Sequence, residues 1–234
     1  MDLSKIGTLI SVDLPEISCK LSSLGFKYIL IDLEHGYVSN RTILSIIASK
    51  EKECKILIRI KEISEAHIKH ALDLGVDGIV APRLESSDEL KILIDYSYFP
   101  PVGKRSLGFT QSNNYGLEFK DYITKFKPLI IPQIESRQGL EMIQDIVTNN
   151  LLSGIFVGPY DLSMSLGLQG QFESREFKDS IENIKRACKE QDKYFCMFTT
   201  NKDVAIAEIR SGTDIVFLGL DVNLFLNSYV ELIS

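Results

Sequence analysis

Eight short apolar runs rich in Ile, Val and Leu recur along the chain, each followed by a longer stretch of helical periodicity. They occupy 7–12, 28–33, 55–60, 77–81, 128–133, 154–157, 194–198 and 214–218. A strand with one wet face would alternate apolar and polar residues. Continuous apolar runs instead need cover on both faces, as in a parallel sheet flanked by helices. The stretches between them support this. Over 172–189, Phe177, Ile181, Ile184 and Cys188 fall at helical spacing with Glu, Lys and Arg between them, and Ile43, Leu44, Ile47 and Ala48 do the same. Gly75, after Leu72-Asp73-Leu74, supplies a helix stop. Strands alternating with helices in this number predict a (β/α)8 TIM barrel, a single α/β domain over 1–234, and the 234 residues suit that fold. A doubly wound open sheet is the rival. No G-x-G-x-x-G loop follows the first run, which counts against its dinucleotide-binding form. The connection from 99 to about 127 is long, and long connections in compact domains are often functional.

Hydrophobic residues make up 44% of the chain, enough for a large core, and the formal charge is -6 with a pI near 5.2. That acidic balance argues against nucleic acid, whose phosphates need a basic face. It leaves room for a small anion held by local positive groups. Cys19, Cys54, Cys188 and Cys196 form neither a C-x-x-C pair nor zinc-ligand spacing, so reduced thiols are expected. The apolar stretch 6–12 is short and runs into Asp13 and Pro15, unlike a secretory signal. No apolar run reaches the roughly 18 residues that cross a bilayer. The expectation is a cytoplasmic protein without a membrane partner.

In a parallel barrel, functional side chains gather at the C-terminal ends of the strands. The second run ends in Asp32-Leu33-Glu34-His35-Gly36 and the third in Arg59. The fifth ends in Gln133-Ile134-Glu135 and the sixth in Gly158-Pro159-Tyr160-Asp161, leading into a short helix over 162–166. Carboxylates, a histidine and an arginine would converge on one mouth. Desolvating charge there is costly, so a purely structural barrel has no reason for the arrangement.

The segments IDLEHG, ILIRI, ALDLGVDGIVAPRLES, PPVGKRSLGF, IIPQIESRQGL and GIFVGPYDLSMSLGLQGQF resemble the HpcH/HpaI aldolase family. The resemblance runs in order from about 6 to 171 and continues more weakly to the end; Q-I-E-S followed by G-P-Y-D-L-S is its most specific part. It implies a metal-dependent class II aldolase that cleaves or forms a 4-hydroxy-2-oxo acid from pyruvate, or a related 2-oxo acid, and an aldehyde.

By that resemblance Glu135 and Asp161 hold the divalent ion. Two hard oxygen donors, waters and the substrate's carboxylate and keto oxygens suit magnesium, manganese or cobalt. Read alone, Glu135 could instead cap the following helix. The turn Gly158, Pro159, Tyr160, Asp161 is where a pyruvate carboxylate should rest on backbone N–H groups, or it is an ordinary capped turn. Arg59 matches the arginine that contacts the keto or enolate oxygen, against a plain salt bridge at the rim. His35 matches the family histidine, and Asp32 the acid that orients it; imidazole is a natural proton shuttle. Asp73 matches a family acid expected near Arg59 or the metal's water shell. Glu34 is given no role. Arg105 reaches either substrate or the subunit surface.

His67 and His70, three apart among Lys61, Glu62, Glu65 and Lys69, read as a solvated helix face rather than a metal pair. The loop from Thr110 to Tyr115 lacks the arginine often found there in the family, and Thr199-Thr200-Asn201 departs from the commonest pattern. The aldehyde end of the substrate is left open by these departures. The family analogy also implies a homo-oligomer, with hexamers common. The segment from Asp221 to Ile233 carries Val222, Phe225, Leu226, Tyr229 and Leu232, a wider apolar face than one barrel helix needs. Two other functions stand beside the aldolase. One is a relative that condenses or decarboxylates a 2-oxo acid, on a citrate synthase-like branch. The other is a non-catalytic metabolite-binding barrel, which would lack a metal carboxylate or a base, whereas Glu135, Asp161, Arg59 and His35 are all present.

Overall fold

All eight apolar runs become strands: β1 (Ile6–Ile10), β2 (Tyr28–Asp32), β3 (Lys55–Arg59), β4 (Gly78–Ala81), β5 (Leu129–Ile134), β6 (Gly154–Val157), β7 (Tyr194–Thr199) and β8 (Ile215–Leu220). The structure is a computed structural model that describes residues 3–233. Each strand pairs in parallel with its successor, and β8 pairs with β1, so the sheet is a closed barrel. The open doubly wound sheet is therefore excluded. β8 runs two residues beyond the expected end at Leu218 because Leu220 pairs with Leu9, a partner that exists only once the barrel closes.

Alternation along the strands makes two apolar layers. Leu9, Leu30, Leu57, Val80, Ile131, Phe156, Cys196, Ile215 and Phe217 fill the barrel. Their neighbours point outward: Ile10, Ile29, Ile31, Ile56, Ile58, Ile79, Ile130, Ile134, Ile155 and Val157 meet the helices. Because side chains repeat with period two, the next inward positions after Leu30, Leu57 and Ile131 are Asp32, Arg59 and Gln133. The chemistry of the mouth is a continuation of the core register.

The helices are α1 (Pro15–Ser18), α2 (Asn40–Ser49), α3 (Glu65–Asp73), α4 (Ser87–Ser97), α5 (Phe119–Lys125), α6 (Arg137–Glu141), α7 (Ile143–Val147), α8 (Pro159–Ser165), α9 (Arg175–Glu190), α10 (Lys202–Arg210) and α11 (Asp221–Ile233). Most begin on a side-chain cap. Ser39, Ser64, Ser86, Ser136 and Ser174 each accept a backbone N–H three residues on, and Asn201 accepts two. Each such cap stabilises by about 1 kcal/mol. Ser174 explains why α9 starts at Arg175 rather than near Phe172. Gly75, at φ +89°, ends α3 as expected. α8 starts at Pro159, three residues before the predicted start, because Gly158 caps it and a proline suits the first turn.

The long connection from α4 to β5 contains a 3-10 turn (Gln111–Gly116) and α5. It joins the end of a helix to the start of a strand, so it lies at the N-terminal end of the barrel, opposite the mouth. Whatever part it plays is therefore not played in the mouth of its own barrel. Arg105, in this segment, reaches neither substrate nor surface. It is 2% exposed, its Nη2 donates to Asp73 Oδ1 at 2.7 Å, and Phe99 and Phe126 lie 4.8 and 4.6 Å from its guanidinium carbon.

The four cysteines are free; Cys54, Cys188 and Cys196 are buried. No described helix is long and apolar enough to cross a membrane.

Candidate active site

The register of β2 against β3 places Asp32 beside Arg59. Arg59 donates from Nε to Asp32 Oδ1 at 2.8 Å and from Nη2 to Oδ2 at 2.7 Å, a bidentate pair that fixes the guanidinium plane. Asp32 is 3% exposed and also accepts the backbone N–H groups of Glu34 and His35 through Oδ1. Burial works against the charge on Arg59. The hydrogen bonds and charge of Asp32, aided by Glu34 and Glu135, outweigh it, so its pKa lies above the ordinary arginine value. Glu34 Oε2 stands 3.3 Å from Arg59 Nε but is misdirected for a hydrogen bond and is buried without one.

Glu135 follows β5, 6% exposed. Ser136, not Glu135, caps α6, which leaves the Glu135 carboxylate to the mouth. Its Oε1 accepts the backbone N–H of Arg83 at 2.9 Å, and its Oε2 accepts Gln133 Nε2. Burial first, and then the charges of Glu34 and Asp161, push the Glu135 carboxyl up to about 7. The Glu34 carboxyl is also raised, chiefly by burial, although Arg59 and His35 oppose the shift. Glu34, His35, Arg83, Glu135, Ser136, Asp161, Met164 and Ser165 line one pocket of 360 Å³. Clefts of 410 and 450 Å³ open elsewhere, the first at the opposite end of the barrel and the second between α9 and α10. Neither gathers these strand-end groups.

Two expected placements change. Asp32 touches the backbone of His35, not its ring. The imidazole is 72% exposed at the rim, with Nε2 3.8 Å from Glu34 Oε2, so Asp32 orients Arg59 rather than the histidine. Asp73 ends α3 at the far end of the barrel, bound to Arg105, and is near neither Arg59 nor the pocket. The reason is topological: α3 leaves the mouth after β3 and delivers its last residue to the start of β4. His67 Nδ1 contacts Ser64 and Glu62, and His70 Nε2 contacts Asn40, the helix face expected of them.

A model of the HpcH/HpaI aldolase/citrate lyase family matches residues 5–228. The chain belongs to that family. The hydroxypyruvate/pyruvate aldolase of Roseobacter denitrificans is 29% identical over 217 residues, which cover 89% of this chain and 83% of the relative. The 4-hydroxy-2-oxo-heptane-1,7-dioate aldolase of Escherichia coli is 26% identical over 209 residues, 87% and 79% of the two chains. A solved HpcH/HpaI-type protein from Burkholderia cenocepacia J2315 superposes with a TM-score of 0.90 at 22% identity, covering 97% of this chain and 92% of the other, which shows the shared fold. Family and relatives together make this HpcH/HpaI member a carbon–carbon lyase.

Among the described residues no three of His, Cys, Asp and Glu stand together as a metal cage. The donor set of this HpcH/HpaI mouth nonetheless fits a hard divalent ion. Glu135 and Asp161 face one pocket, and Glu135 is raised first by burial and then by the carboxylates Glu34 and Asp161, a crowding of negative charge that a cation would relieve. Water and substrate oxygens would complete the shell. Sequence reasoning missed Gln133, Arg83 and the structural part of Gly158. A Cβ at Gly158 would lie 2.7 Å from Gln133 Nε2 and 2.8 Å from Glu135 Oε2, so the backbone there passes against the Glu135 carboxylate. Gln133 could have been found, because it sits two residues before Glu135 on the same strand face. Arg83 carried no such signal, since its place depends on a backbone turn that β4 makes after it ends.

Proposed function

We propose that the chain is a divalent-metal-dependent aldolase that cleaves or forms a 4-hydroxy-2-oxo acid, with pyruvate or a close 2-oxo acid as one product and an aldehyde as the other. The observation that carries this is the Arg59 guanidinium, locked by Asp32 on the inner wall, in one mouth with the Glu135 and Asp161 carboxylates. Glu135 and Asp161 would hold the ion, magnesium, manganese or cobalt, whose charge polarises the 2-keto group of the substrate. At the Gly158–Asp161 turn the free backbone donors are the N–H groups of Tyr160 and Asp161, since Pro159 has none and Gly158 donates to the Ile134 carbonyl, and these two receive the substrate carboxylate. In cleavage, a proton leaves the 4-hydroxyl, the C3–C4 electron pair moves toward the C2 carbonyl, and an enolate and a free aldehyde result. Arg59 neutralises charge growing on the enolate oxygen; because Asp32 prevents its reorientation, it is already in place when that charge appears. His35, at the rim, takes the hydroxyl proton through an ordered water, and a proton is returned to C3 to give the 2-oxo acid.

The protein also forms a homo-oligomer in this reading, of which a hexamer is the family analogue. Every residue of α11 is at least partly exposed. Phe225, Leu226, Tyr229, Val230, Leu232 and Ile233 are each more than half exposed, an apolar surface that favours burial against another copy. Incubation with manganese and pyruvate in D2O tests the chemistry: deuterium enters the methyl group if the enolate forms. Absence of exchange in the metal-loaded protein, with no turnover of any acceptor, would overturn the reading.

A further inference from the structure

Among the described residues that line the mouth pocket, Arg83 is the one permanent cation, standing with Glu34, Glu135 and Asp161. Arg59 is already committed to Asp32. Arg83 is held unusually. Its φ is +46°, a left-handed conformation that non-glycine residues seldom adopt. Its N–H donates to Glu135 Oε1 at 2.9 Å, which anchors the turn to the metal carboxylate. Glycine would meet that backbone demand without strain, so nothing in the turn requires a side chain. The side chain present is 68% exposed, and its one ion pair is an open one, Nη2 to Glu85 Oε1 at 3.2 Å. Exposed pairs of this kind are weak and easily exchanged for another carboxylate.

Resting on the aldolase reading, we propose that Arg83 is a specificity-determining residue that binds a carboxylate on the aldehyde acceptor, so that the favoured acceptors are oxo acids rather than neutral aldehydes. The charges of the mouth argue for it. Asp32, Glu34, Glu135 and Asp161, joined by the carboxylate of the bound 2-oxo acid, outweigh Arg59 even when a divalent ion is added, and a second anionic substrate group would be repelled without a further cation. A guanidinium meets a carboxylate through two parallel N–H bonds, which orients the acceptor as well as attracting it. Anchored next to Glu135 yet open to solvent, Arg83 lines the pocket with its side chain free to meet a second substrate.

The test measures kcat/KM for condensation of pyruvate with two chain-matched acceptor pairs, glyoxylate against acetaldehyde and succinic semialdehyde against butanal. Wild type should favour the carboxylated member of at least one pair by about tenfold or more, the scale of one charge-assisted hydrogen-bonding contact. Arg83→Gln should bring that ratio down by about tenfold, and Arg83→Lys should restore part of it. Arg83→Gly, which suits the positive φ and keeps the N–H to Glu135, should lose the preference as Arg83→Gln does. A ratio near one in wild type, or a ratio that Arg83→Gln and Arg83→Gly leave unaltered, overturns the assignment. Pyruvate methyl exchange in wild type separates the two layers. Exchange without a charge preference sinks only Arg83; no exchange and no turnover sinks the aldolase reading with it.

Discussion

At the scale of single residues, the site is a set of charges whose meaning depends on their partners. Asp32 holds the Arg59 guanidinium flat, and the proposed action of Arg59 on developing charge depends on that. Asp32→Ala would leave a guanidinium with 13% side-chain exposure without its bidentate partner. Stability should fall by about 3 kcal/mol or more in urea melts. The folded fraction should lose kcat by at least about tenfold, since a free guanidinium must be ordered in the transition state. Arg59→Lys, which keeps charge but not the fork, should lower kcat with little change in pyruvate binding; an unchanged kcat would remove Arg59 from the chemistry. Glu135→Gln should abolish metal-dependent turnover while the fold survives, and full activity in excess chelator would remove the metal from the mechanism.

At the scale of elements, β5 and the turn before α8 are built around each other. The Cβ of Gly158→Ala would lie 2.8 Å from Glu135 Oε2, so the carboxylate must shift. Manganese affinity measured by calorimetry should weaken by roughly tenfold or more, the usual effect of disturbing a ligand's supporting contacts. Unchanged affinity would mean that Glu135 is not a ligand. The opposite end behaves differently. Arg105 ties α3 to the connection before β5 through Asp73 and an aromatic box of Phe99, Tyr122 and Phe126. Arg105→Ala leaves Asp73 without this partner and empties the box. It should cost about 3 kcal/mol of stability. The kcat of the protein that stays folded should be retained; a specific loss of kcat at unchanged stability would return this residue to the site.

At the scale of the whole molecule, the thiols report on the integrity of the barrel. Burial pushes Cys54 up to about 11 and Cys188 up to about 12, and it raises Cys196 as well. In the unfolded chain thiols ionise near 8.5 to 9. The stability they contribute is therefore present below that range and lost as pH rises toward the folded values, by about 1.4 kcal/mol per pH unit for each buried thiol. Urea midpoints should drop between pH 8 and 10.5, and less so in Cys188→Ala. At pH 8 a thiol reagent should modify Cys19 in the native protein and all four only after denaturation. Light scattering at micromolar concentration tests the exposed face of α11: a monomer would show that no second copy covers it.

Much of this was legible in the chain. The eight apolar runs and the strand-end residues Asp32, Arg59, Glu135 and Asp161 are local features, because hydrophobic period and chemistry at the end of a run need no knowledge of distant contacts. What the closed barrel alone decided is pairing across the chain. The register of β2 on β3 gave Asp32 to Arg59 instead of to the His35 ring. The direction in which α3 runs carried Asp73 to the far end, where Arg105 holds it. The left-handed turn after β4 brought Arg83 against Glu135, 52 residues away in sequence. Each of these depends on how strands stagger and helices return when the sheet closes, and a contact set by that geometry leaves no periodic trace along the sequence.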